Sequence, residues 1–387
     1  MSELLSYMQR HADEMVALIR SLAEHESPTA HTGEEKAACD HLATYLEGVL
    51  TGYGAKVERV GQDVRGDHLV ARWGHGDRPT LIVGHYDTVW PLGTLMTMPV
   101  RLVEDQLRGP GVYDMKGGLV LGLFAIHCLR ELDRLRGPVT FLINSDEEVG
   151  SMTSRGLIES EARRSQAALV LEPAQPPNAA LKTSRKGVGR FHLKVIGQPG
   201  HSGWVAEYGV SAIEEMARQV VDLYALADHS RGTTINVGVL NGGTRANVIA
   251  AEAVADIDLR VTSQAEAERM TEAIHSRQPY NPGAKIEVSG GLNRPPMERT
   301  PGTVALFEAA QRVGESLGLT VTESSSGGGS DGNFTSAIGV PTLDGLGVVG
   351  GGAHGHDEHL LVSQVAARAA LLAGILEAVT GGQVGLS

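Results

Sequence analysis

Three apolar runs each end in side chains able to hold a cation. "PTLIVGHYDTV" delivers His85 and Asp87, "GPVTFLINSDEE" delivers Glu147 and Glu148, and "AALVLEPA" delivers Glu172. Asp114 in "GVYDMKGG" and His354 in "GGGAHGHDE" complete the set. Adjacent carboxylates at the end of a buried strand repel each other, and burying them unpaired is costly. A positive partner is required. Two imidazoles with several carboxylates suit divalent metals such as zinc, and the ligand count is large enough for two ions. Bound metal makes the clustered acids favourable and leaves one glutamate of the Glu147–Glu148 pair to move protons. Asp87, two residues after His85, is placed to accept a hydrogen bond from the far imidazole nitrogen or to set the metal geometry.

The elements that must position these groups read as two patterns. Up to about residue 180, continuous apolar strands alternate with helices such as "GGLVLGLFAIHCLRELDRL", the pattern of an α/β layer with a mixed, largely parallel sheet. In such sheets, sites form at the carboxyl ends of the strands. The middle segment instead reads strand, helix, two strands joined by a Gly-rich turn, helix, strand. That β-α-β-β-α-β order predicts a ferredoxin-like unit. The expected division is a catalytic domain over 1–184 and 298–387 with an inserted domain over 185–297. "LNRPPMERTPGT" reads as the return crossing, followed by the helix "VALFEAAQRVGESLG", the loop "SSSGGGSDGNF", the strand "GVPTLDGLGVV" and a closing helix.

With 387 residues, two domains are the prior, and 42% apolar against 20% charged residues describes a soluble globular protein. A net charge of −13 argues against a nucleic-acid partner, because phosphate binding needs a basic face. Two cysteines form no disulfide framework, so a reducing, cytoplasmic setting is expected. The first 22 residues read as an amphipathic helix with no leader pattern, and "GLVLGLFAIHCL" is short for a bilayer span, so no membrane partner is expected.

Taken together, "GHYDTV", "GVYDMKGG", "SDEEVGS", "LEP", "PGHSG" and "GGGAHGHDE", in that order, resemble the M20 family of dizinc metallopeptidases and deacylases, with the glutamate carboxypeptidases of the G2 type the nearest likeness. The resemblance implies that His85, Asp114 and Glu172 hold one Zn2+, that Asp114, Glu148 and His354 hold the other, and that Asp114 bridges. Co2+ and Mn2+ are possible substitutes. It implies Glu147 as general base, Asp87 orienting His85, and a cis peptide after Asp114. A water shared by the metals would be acidified, and Glu147 would carry its proton to the departing nitrogen. His201 of "PGHSG" would stabilise the oxyanion in the partner subunit's site, which implies a homodimer formed through the inserted lid domain. Asn247, Arg260, Arg294, Gly329 and Ser330 are the implied substrate contacts, the arginines suiting a free carboxylate. Arg185 and Lys186 are further candidates. The expected substrate is a small peptide or N-acyl amino acid. An N-acyl-amino-acid deacylase of the acetylornithine deacetylase kind and a non-catalytic binding homologue are the alternatives.

Blander readings apply elsewhere. His11, His25, His31, His41, His68, His75, His229 and His275 read as solvated, and His127 and His192 as packed. Arg260 also reads as a strand residue paired with Asp256 or Asp258. Gly328 to Gly332 matches a G-x-S-x-G elbow around Ser330, but the polar "TESSSGG" before it is not the buried strand a serine nucleophile needs.

Overall fold

The structure is a computed structural model that describes residues 3–204 and 208–386. The chain divides into two compact units, one of 1–184, 299–326 and 330–387, the other of 185–298 with 327–329.

The first unit is an α/β layer. Its six-stranded sheet runs, in spatial order, Lys56–Val60, His68–Trp73, Val139–Asn144, Thr80–His85, Ala167–Val170 and Thr342–Leu343. The last four are mutually parallel, and the first two add an antiparallel edge. Strands Thr80–His85 and Val139–Asn144 are buried along their whole length, which explains why they read as continuous apolar runs. Helices Gly117–Glu131 and Val362–Thr380 pack into the same core. By length and composition alone, the stretches Val112–Glu131 and Val362–Thr380 are sufficient to cross a membrane. The first is longer than the window "GLVLGLFAIHCL" suggests because it includes the kinked turn Val112–Lys116, whose backbone is non-helical at Asp114 and Met115. Most of both stretches is buried within the protein. Gly118 lets the start of the first helix press onto the sheet, since a Cβ there would lie 2.2 Å from the Leu171 carbonyl oxygen. Asp114 and Glu172 flank that close approach.

A second, four-stranded antiparallel sheet orders Gly350–Gly351, His359–Leu361, Gln106–Arg108 and Arg101–Val103. These strands are two or three residues long and mostly exposed at Arg101–Val103, so no local pattern announces them. Other boundaries also move. The N-terminal helix is two, Glu3–Arg10 and Ala12–Ala23, broken at His11. The strand expected to end before "LNRPP" continues to Arg294, and the following helix begins early, at Pro301, behind the Thr300 cap.

The second unit has strand order Thr234–Gly242, Glu252–Val261, Gly187–Ile196, Lys285–Arg294, all antiparallel, with helices Ala212–Ala225 and Gln264–His275. This is the β-α-β-β-α-β arrangement. Along Gly187–Ile196 the alternation of Phe191, Leu193 and Val195 with more exposed residues gives one face to a separate core with Met216, Leu223, Met270 and Ile274.

Glu266 ties that unit's helix Gln264–His275 to the neighbouring loop. Its carboxylate accepts from Arg269, from Arg231 (2.8 Å) and from the Thr233 hydroxyl (2.8 Å). Arg269 and Arg231 hold its pKa down from the ordinary 4.5 to about 2. A depressed carboxyl pKa contributes stability above the unfolded value, and that contribution is lost as pH falls through the folded one. The stability difference between wild type and Glu266→Gln is therefore expected to be full above pH 4.5 and to shrink towards pH 2. Denaturant unfolding across that range measures it, and a difference that stays constant with pH would contradict it.

Candidate metal centre

The site is assembled at the carboxyl ends of the parallel strands in the first unit. His85 closes its strand and is almost fully buried. Its Nδ1 lies 3.2 Å from Asp87 Oδ1 and 3.0 Å from the Asp87 carbonyl oxygen, which fixes the ring. Its Nε2 therefore faces the other acids, 3.4 Å from Asp114 Oδ1 and 3.7 Å from Glu172 Oε1. Asp87 does a second job. Its carboxylate accepts the Thr29 hydroxyl (2.7 Å) and the backbone N–H groups of Glu147 (3.2 Å) and Glu148 (3.3 Å). One buried acid thus orients an imidazole and holds the 3-10 turn Glu147–Val149 that carries the paired glutamates.

Asp114 sits ahead of the helix Gly117–Glu131, and the peptide Asp114–Met115 is cis, as expected from the sequence motif. Its two oxygens point to two imidazoles: Oδ1 to His85, and Oδ2 to His354 Nε2 at 3.3 Å. His354 Nε2 is also 3.2 Å from Glu148 Oε2. The His354 backbone is left-handed (φ 61°), uncommon outside glycine, in the turn that presents its ring. His85, Asp114 and Glu148 offer ligand atoms within 4.8 Å of one another, and so do His85, Glu147 and Glu172. The second grouping includes Glu147 where the motif assignment has Asp114.

The electrostatics of the cluster are dominated by mutual attraction between its imidazoles and carboxylates. Asp114 and Glu148 push the His354 imidazole up to about 11. Burial, with Asp114 and Asp87 nearby, raises Glu148 to about 7 against the pull of His354. Burial opposes charge on His85, yet Asp114, Asp87 and Glu172 raise its pKa well above the ordinary value. Among the described residues, three buried atoms, His85 Nε2, Asp114 Oδ1 and Glu148 Oε1, have no hydrogen-bond partner. Buried polar atoms of this kind are rare unless something coordinates them. A nitrogen and two carboxylate oxygens converging without partners fit a divalent metal.

Behind the glutamate turn lies a polar scaffold that the sequence did not announce. Asp331 accepts from Asn144 and Ser151 on either side of the turn. Asp146 accepts the Thr153 N–H and hydroxyl and the Ser154 hydroxyl. His68, read from sequence as solvated, is fully buried between Ser145 and Thr153, because its strand is covered on both faces. Ser330 is also fully buried; its hydroxyl donates to Asp344 (2.6 Å) and accepts from Gly332.

The remaining candidates lie on the second unit. His201 is exposed; its Nδ1 accepts the Gly203 N–H (3.2 Å), so the neutral ring carries its proton on Nε2, and its ring is 4.9 Å from that of Trp204. The Asn247 carbonyl accepts the Ser202 N–H. Arg260 pairs with Asp258 through two bonds of 2.7 and 3.0 Å, the strand-neighbour pairing. Arg294 is buried, and Gly329 sits against it, a Cβ at Gly329 falling 2.7 Å from Arg294 Cδ. Arg185 donates to the carbonyls of Gly328 and Gly329. His192, expected to be packed, is exposed and bonded to Asp256 (2.8 Å), since it falls on the solvent side of the strand alternation.

A mostly parallel α/β sheet gathering imidazoles and carboxylates at its strand ends defines a metallohydrolase-type centre. Residues 81–378 match the family model described as peptidase family M20/M25/M40. The chain belongs to that family of metallopeptidases and amidohydrolases. It is 29% identical over 353 residues to carboxypeptidase G2 from Pseudomonas sp. (strain RS-16), covering 89% of this chain and 85% of the relative. It is 32% identical over 273 residues to acetylornithine deacetylase from Edwardsiella ictaluri (strain 93-146), covering 65% and 69%. Aminopeptidase PepT from Bacillus cereus ATCC 10987 shares the fold at a TM-score of 0.76 and 23% identity, with 95% of this chain and 98% of that chain covered.

Proposed function

We propose that the protein is a two-metal amidohydrolase that cleaves an amide or peptide bond beside a free α-carboxylate, releasing a C-terminal amino acid such as glutamate from small peptides or N-acyl amino acids. The observation that carries this is Asp114, whose two oxygens face His85 and His354. That is the arrangement of a carboxylate shared by two cations. In this reading His85, Asp114 and Glu172 would hold one zinc, and Asp114, Glu148 and His354 would hold the other. Metals held there would supply Lewis acidity towards the scissile carbonyl and towards water. Glu147, on its Asp87-held turn, accepts the proton of the attacking water and delivers it to the leaving nitrogen. Asp87 keeps the His85 ring turned inward. The Nε2–H of His201 is a donor for the developing oxyanion of the partner subunit's substrate. Asn247, Arg260 and Arg294 would receive the substrate carboxylate, with Arg260 shared between Asp258 and substrate; Gly329 lines the same loop, and Ser330 anchors it.

Homodimerisation through the inserted unit is supported by an apolar run on its edge strand and adjoining helix. Val239 and Leu240 on Thr234–Gly242, and Ile213, Val221 and Tyr224 on Ala212–Ala225, are all exposed. Two free, buried cysteines accord with a cytoplasmic setting.

The likeness to an acetylornithine deacetylase favours a second reading, an N-acyl-amino-acid deacylase. Steady-state rates on N-acyl glutamates, N-acetyl amino acids and dipeptides, with chelated and metal-reconstituted protein, separate the two. We expect metal-dependent hydrolysis with the highest kcat/KM on a C-terminal glutamate. A preference for N-acetyl substrates of basic amino acids would favour the deacylase. Binding without turnover in metal-replete protein would leave only a binding homologue.

A further inference from the structure

We infer that Glu358 is a positioning residue that sets the spacing of the two metals, by joining three of the loops that deliver their ligands; this rests on the two-metal reading above. Glu358 is buried and its carboxylate takes four donors. Oε1 accepts the backbone N–H groups of Tyr113 (3.1 Å) and Asp114 (3.1 Å). Oε2 accepts the Gly111 N–H (3.0 Å) and the Trp90 indole N–H (2.9 Å). The first three donors belong to the loop of Asp114. Trp90 lies three residues beyond Asp87, on the loop that leaves the His85 strand. Glu358 itself follows His354 by four residues.

The short sheet explains how it arrives there. His359 pairs with Arg108 in antiparallel register, so Glu358 falls opposite Gly109, where the chain turns towards Asp114. The Gly109 N–H donates to the Glu358 carbonyl (3.3 Å), holding the main chains together at that point. The Trp90 ring also lies 5.4 Å from the His356 ring, tilted by 44°, a second contact between the His354 turn and the loop after His85. A carboxylate with both oxygens saturated by rigid donors has little freedom. Displacing it moves Asp114 and His354, one ligand shared by both metals and one belonging to a single metal, relative to each other.

Glutamine at 358 would retain one accepting oxygen and turn an NH2 group towards two donors, so two of the four bonds are lost without changing side-chain size. Glu358→Gln is expected to weaken metal binding by about 10–100-fold for at least one equivalent, the usual range for groups that support metal ligands. The measurement is competition of the protein with a chromophoric chelator for Zn2+, with the Co2+ absorption spectrum as the coordination readout and thermal melting of metal-free protein as the stability control. A changed Co2+ spectrum with weakened affinity, while the metal-free midpoint moves far less than that of the loaded protein, supports the inference. Wild-type affinity and an unchanged spectrum overturn it, and so does lost metal-free stability with unchanged affinity. Should Glu358→Gln not fold, Trp90→Phe decides: it removes one donor of the four, and a few-fold loss of affinity with a shifted spectrum is expected, whereas no change overturns the inference. Wild-type protein that takes up no second equivalent overturns the two-metal reading itself.

Discussion

Replacing Glu147 by glutamine is expected to lower kcat by about 10²–10⁴-fold, the range in which a positioned general base contributes, while metal content stays the same. The position makes this a clean substitution. Glu147 opens the 3-10 turn Glu147–Val149, and its backbone N–H is held by Asp87 Oδ1, a bond that a side-chain change leaves intact. Glutamine has the same shape but accepts no proton at neutral pH. His85, Asp114, Glu148, Glu172 and His354 all remain, so the proposed ligand set is complete. Steady-state kinetics beside metal analysis give the result. Normal turnover with full metal content would remove Glu147 from the chemistry, and coincident loss of metal would reassign it as a ligand, the role its grouping with His85 and Glu172 would allow.

Asp114→Asn should have the larger effect on the metal. One oxygen of Asp114 faces His85 and the other faces His354. An asparagine keeps one coordinating oxygen and presents N–H donors in place of the other, so one imidazole loses its shared carboxylate. Affinity for at least one equivalent is expected to fall by more than the roughly 10–100-fold typical of supporting groups, and amide hydrolysis with it. The backbone around it is expected to persist, since Glu358 holds the Asp114 N–H rather than its side chain. Equilibrium titration with Zn2+ tests this. Two equivalents bound at wild-type strength would mean that the ions do not share this residue, and the bridging assignment would be lost.

Asp87 and Glu358 differ in how far their roles are legible in the order of residues. The site residues stand at the ends of strands whose apolar runs are visible in any short window, and like charges beside a buried strand demand an explanation wherever they occur. His85, Glu148 and Glu172 were therefore recognisable before any fold was known. The supporting residues lack that kind of mark. Thr29, which donates to Asp87, and Trp90, which donates to Glu358, sit in loops without periodicity. His68 heads a strand covered on both faces, and nothing in "GDHLVARW" distinguishes it from a surface histidine. The position of Arg260 suits both a carboxylate binder and a strand partner of an aspartate, and in the folded protein it pairs with Asp258.

The clustering of candidate ligands at strand ends, the α/β pattern of the first unit and the β-α-β-β-α-β order of the second are written in the order of residues, because each depends on side-chain type and on spacing over a few residues. Tertiary structure alone decided which oxygen of Asp114 meets which imidazole, where the two-residue and three-residue strands pair, and how Glu358 reaches the Asp114 N–H from 244 positions away. Such contacts join groups far apart in the chain and are selected by the packing of whole elements. They therefore leave no imprint on the local order of residue types.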